Sequence, residues 1–179
     1  MDRETTRSTT AWPLTLAAAA VLGSMATACM MPFVAVATIA AASMPRREAL
    51  TAVTGVWAIN QLLGFGLLGY PLTTYAVTWG LALGAAAIAA LVVARRFLRA
   101  SSTTAARLGA AFVVAFAAYE GLLFAFATIE GGTGTFTSTI VLSILVNDAA
   151  WLVGLALLHM LLTRAAPRMF GRPQALRLI

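Results

Sequence analysis

Trp12–Met44 reads WPLTLAAAAVLGSMATACMMPFVAVATIAAASM, 33 residues without one charged side chain. As a single helix this stretch would rise about 50 Å. A bilayer core is only about 30 Å thick, so a single span would have to tilt steeply. Pro32 lies inside the run, and a proline removes a backbone donor and ends or kinks a helix. The stretch therefore divides into two spans, about 12–29 and 32–44, the second short enough to be a tilted or re-entrant helix packed inside a bundle. One kinked helix over 12–44 is the alternative, and it would leave five spans.

The flanking charges favour the division. Arg3 and Arg7 precede the run, and Arg46 and Arg47 follow it. One span would put these pairs on opposite sides of the membrane, whereas two put them on the same side. Further along, four apolar runs lie at about 49–69, 75–94, 105–128 and 137–163. Each has about the 20 residues a crossing requires. Arg95, Arg96, Arg99 and Arg107 separate the middle two, and Arg164, Arg168, Arg172 and Arg177 follow the last. All twelve basic residues are thus arginines on one side of a six-span reading. Cytoplasmic loops collect basic residues, so the sequence predicts a polytopic all-α membrane bundle with both termini cytoplasmic. Its tail, 164–179, is expected to lie on anionic lipid.

Composition agrees. Hydrophobic residues make up 61% of the chain and charged residues 10%, against about 25% charged in soluble domains. Mean hydropathy is +0.90. The pI near 11.1 comes from arginines at span ends rather than from a basic face, so nucleic acid is not an expected partner. The sole cysteine, Cys29, excludes an internal disulfide. The first apolar run follows Asp2 and Glu4 and has no clear cleavage boundary, so it reads as a retained span. The single-domain chain carries no phosphate loop ending in Gly-Lys, so any ATP dependence must come from a partner.

Intramembrane polar groups are costly and usually face a cavity or a partner. Glu120 and Asp148 are the acids within spans, with no arginine at comparable depth. Trp57, Asn60, Gln61 and Gly64 share one face of the third span by their i, i+3, i+4, i+7 spacing. Asn147 and Asp148 lie one turn before Trp151, and Tyr119 adjoins Glu120. The substrate-binding candidates are therefore Trp57, Asn60, Gln61, Tyr119, Glu120, Asn147, Asp148 and Trp151, a set of amides, carboxylates and aromatic walls suited to a small organic ligand. The bland alternative has Asn60, Gln61 and Asn147 bonding between helices, with Tyr75 and Trp79 as interfacial anchors. The alanine-rich spans, with Gly80 and Gly84, pack against one another or dock another membrane subunit. Cys29 beside Met30 and Met31 is either apolar packing or a soft metal ligand. His159, near the inner end of the last span, reads as a hydrogen-bonded interfacial residue. With no metal-ligand pair at helical spacing, and His159 far from both acids, neither enzyme activity nor a resident cofactor is expected.

In size and topology the chain resembles the substrate-binding S-components of energy-coupling-factor vitamin transporters. Those are small six-span proteins with both termini inside, no ATPase of their own and an outward-opening pocket. The resemblance implies a multi-pass protein of the bacterial cytoplasmic membrane that takes up a vitamin or related cofactor. It also implies a membrane coupling protein with ATPase subunits, docked through alanine faces such as Ala17–Ala28 and Ala35–Ala42. One branch of the family handles cobalamin and includes members whose cysteine approaches the cobalt; Cys29 is the candidate for that role here. Two other classes stay open: a soft-metal or proton-coupled transporter using Glu120, Asp148 and the sulfur residues, and a noncatalytic membrane scaffold.

Overall fold

A computed structural model describes residues 11–26, 31–99 and 104–170. The described residues form helices joined by short connections, with no strand among them: α1 (Ala11–Ala26), α2 (Phe33–Ser43), α3 (Arg46–Gln61), α4 (Thr74–Leu98), α5 (Ala105–Glu130), α6 (Ser138–Ala165) and a short α7 (Pro167–Phe170). A π-helical turn, Leu62–Leu67, continues α3. Four of these segments are long and apolar enough to cross a membrane: Arg46–Leu67, Thr74–Leu98, Ala105–Glu130 and Ser138–Ala165. Their outward faces are apolar, with Leu81 58%, Val113 59%, Leu142 58% and Leu161 64% exposed. Water does not favour such a surface, whereas hydrocarbon does.

The long uncharged run divides at Pro32, as its length demanded. Pro32 is the N-cap of α2, and Pro45 is the N-cap of α3. With 11 residues, α2 rises only about 16 Å, half a bilayer core. It is buried on every side from Phe33 to Ala40, packing on α3, α4, α5 and α6. Its run of Ala and Val supplies the small radius a central helix needs. α1 presents Trp12, Leu16 and Ala20, one face at i, i+4, i+8 spacing, to the interior. The Trp12 indole donates to Ser43 Oγ at 2.9 Å, tying α1 to the end of α2. There Arg95 reaches back from α4 and donates to the Met44 carbonyl at 3.1 Å.

Most observed helix bounds fall within a few residues of the expected spans, with two differences. The third span is not one regular helix: after Gln61 it widens into the π turn, closed by Leu68 N–H to Leu63 O at 2.8 Å. The tail beginning at Arg164 is not uniformly separate from the bundle either, since α6 runs on to Ala165.

Glycines on α4 admit two large side chains of α3. Trp57 of α3 lies over Gly84, where an added Cβ would sit 2.7 Å from its indole, and donates to the Gly80 carbonyl at 2.7 Å. Gln61 fills the space above Gly80 in the same way. Across the bundle, Trp151 of α6 occupies the space that a side chain at Gly23 of α1 would need.

Candidate functional site

The cavity follows from the shortness of α2. α6 packs on α2 and scarcely touches α5. Beyond Phe33, where α2 begins, no described helix fills the centre, and α5 and α6 stand apart over a hollow. This cavity has a volume of about 420 Å³, floored by Met31 and Phe33 and walled by side chains of α3, α4, α5 and α6. The 3-10 turn Thr133–Thr135 and Phe136 roof it from the α5–α6 connection. Gly132, at φ +108°, lets that connection press against Trp79 and Tyr75. The cavity lies in the half of the bundle away from Arg46, Arg95, Arg107 and Arg164, which stand at the other helix ends.

Five of the expected binding residues meet here: Asn60, Tyr119, Glu120, Asn147 and Asp148. Gln61 opens instead into an adjoining cavity of about 330 Å³, which also holds Gly64, Phe65 and Tyr70. Met31, Asn60, Trp79 and Leu83 line both, so they form the partition between them. The other two candidates are elsewhere. Trp57 is committed to the α3–α4 seam described above. Trp151 lines a shallow groove between α1 and α6, shared with Asn147.

Asp148 has a definite partner, which its sequence context did not reveal. It is 2% exposed, and its Oδ1 accepts the Ala35 N–H at 2.9 Å; the Val34 N–H adds to the interaction. These are the free donors of the first turn of α2. The N-cap residue, Pro32, makes no side-chain hydrogen bond to them. A buried helix end needs an acceptor, and a carboxylate also meets the positive end of the helix dipole. Asp148 thus caps α2 from another helix. Its partner is a backbone N–H and not a cation, consistent with the lack of an arginine at this depth.

Glu120 is different. It has no hydrogen bond or ion pair among the described residues. Asn60, Gln61 and Asn147 make no hydrogen bonds to other helices among those residues either, contrary to the reading of them as interhelical glue. Their amides face the cavities. Tyr119 is buried, its ring 6.3 Å from that of Phe33. Trp79 stands edge-on to Phe126 at 5.1 Å, and its buried indole N–H has no acceptor among the described residues. The interfacial belt was the bland alternative for Trp79 and Tyr75; Trp79 lines the cavity instead, with Phe33 and Phe136, which the sequence does not single out.

His159 corrects another expectation. It is not a hydrogen-bonded interfacial residue: it is 3% exposed, its ring lies tilted 4.4 Å from that of Trp12, and neither ring nitrogen has a hydrogen-bond partner among the described residues. Cys29 lies outside the described residues. Among those residues, no group of three or more His, Cys, Asp or Glu could hold a metal ion. No protein-family model, curated protein or solved structure matches the chain.

Proposed function

We propose that this protein captures a small organic solute from the outer side of a membrane and takes it up. The observation that carries the reading is the cavity beyond the end of α2, lined by Asn60, Asn147 and Glu120, which have no hydrogen-bond partners among the described residues. Polar groups are retained in the interior of a bundle where a ligand or a packing partner needs them. The one-sided arginines support six spans with both termini cytoplasmic, in a bacterial inner membrane, and put the mouth of the cavity outside. In that arrangement α1 and the half-length α2 stand for the first two spans, as shorter apolar helices packed within the bundle. A volume of about 420 Å³ lies near the low end of the range for small-molecule sites. It supports a compact vitamin-sized solute in preference to a corrinoid. A coupling protein with ATPase subunits would drive uptake from the cytoplasmic side.

The test is mass spectrometry of small molecules released from the protein purified in mild detergent. A compact solute near one equivalent is expected, lost in the Asn60→Leu/Asn147→Leu double variant. Absence of any retained solute, together with no accumulation in cells making the protein, would refute the reading. A cobalamin released instead, with Cys29→Ser altering its absorbance, would restore the corrinoid version. A scaffold role draws on the exposed outer face of α6, where Ser138, Thr139, Leu142 and Val146 form a shallow groove. It predicts co-purifying membrane proteins and no solute.

A further inference from the structure

Two features of the cavity pull a ligand's charge in opposite directions. The first turn of α2 points its free N–H groups at the floor, and half-helix N-termini in membranes commonly receive anions. Glu120 and Asp148 bring carboxyl groups into the same space. The hydrogen bonds decide between them. Asp148 Oδ1 already holds the Ala35 N–H at 2.9 Å, so the positive end of α2 is answered from within the fold. An anionic ligand would meet a helix end that is already capped, beside two carboxylates. Glu120, by contrast, has no hydrogen-bond or ion-pair partner among the described residues, and no arginine or histidine lines the cavity. An uncompensated carboxylate in a partly dry interior is costly until a positive group joins it. Phe33, Trp79, Tyr119 and Phe136 supply faces and edges around the same volume, and aromatic faces favour cations over neutral groups.

We propose that the ligand is a compact organic monocation with an apolar or aromatic body. Glu120 pairs with its ammonium or cationic ring, the Asn147 amide oxygen accepts a further hydrogen bond, and Trp79 and Tyr119 enclose the body. Asp148 is a positioning residue that holds the floor. This inference rests on the solute-capture reading above and narrows its substrate class.

The experiment is calorimetric titration of the full-length protein in detergent with three ligands of one aromatic body: 2-phenylethylammonium, 2-phenylethanol and 3-phenylpropanoate. The cation should bind about tenfold more tightly than the alcohol, and the carboxylate most weakly, as close charge pairing requires. Glu120→Gln should bring the cation to the level of the alcohol and leave the alcohol unchanged. The charge series on the wild-type protein decides the matter even where a variant folds poorly. Equal or tighter binding of the alcohol or the carboxylate would overturn the cation assignment while leaving the solute cavity standing. An unchanged cation affinity in Glu120→Gln would also overturn it. No binding by any of the three overturns the inference, and the capture reading falls with it only if no solute co-purifies.

Discussion

Replacing Asp148 by leucine removes the acceptor that caps α2 while keeping the side chain's branching and number of heavy atoms. The Ala35 N–H, now bonded at 2.9 Å, would be left buried without a partner. A hydrogen bond to a charged group contributes about 1.5–3 kcal/mol. The favourable meeting of a carboxylate with a helix N-terminus adds about 0.3–1 kcal/mol. Asp148→Leu should therefore cost about 2–4 kcal/mol. Asp148→Asn keeps an oxygen in place and loses only the charge, so it should cost about half as much. For a chain of this length those losses lower the apparent melting midpoint in detergent by about 5–15 °C and about half of that. The local readout is amide hydrogen exchange in residues 33–43, slow in the parent protein because α2 is enclosed, and faster in Asp148→Leu. A leucine variant with an unchanged midpoint and unchanged exchange would refute the capping argument. An asparagine variant as damaged as the leucine variant would show that the acceptor geometry is not what matters.

Gly84→Val should drive the Trp57 indole off α4 and cost about 1–3 kcal/mol by overpacking, visible as a lower midpoint and altered tryptophan fluorescence. Gly132→Ala puts a side chain at φ +108° against Trp79; a cost of about 1–2 kcal/mol and a weaker grip on any ligand are expected, read by melting and titration. Trp79→Ala should join the two cavities that this indole helps to separate, so larger ligands bind relatively better in a size series. A reporter after Ile179 should be cytoplasmic and one within 131–135 external; finding both on one side would remove the outward-facing mouth.

Much of the architecture was legible without coordinates because hydrocarbon imposes few solutions. Apolar runs of about 20 residues must be helices there, and α3 to α6 follow. Pro32 and the length of Trp12–Met44 forced a break, since no straight helix of 33 residues fits the bilayer core. The gathering of Asn60, Tyr119, Glu120, Asn147 and Asp148 was also foreseeable. Costly polar groups in several spans tend to share one interior space.

Tertiary structure decided what each of these groups does there. Helical periodicity fixes which residues share a face, but not which neighbour that face meets. Trp57 and Asn60 are three residues apart on one helix, yet the indole fills a glycine slot on α4 while the amide reaches the cavity. The two acids look alike in sequence, and only packing separates them. α6 brings Asp148 against the first turn of a half-length helix that its own N-cap proline leaves uncapped. Glu120, on α5, faces the void left because that helix is short. Hydropathy determines where helices lie, since it is a property of the chain summed over a turn or more. The partner of a single polar atom depends on distances between helices remote in sequence, and no local pattern carries them.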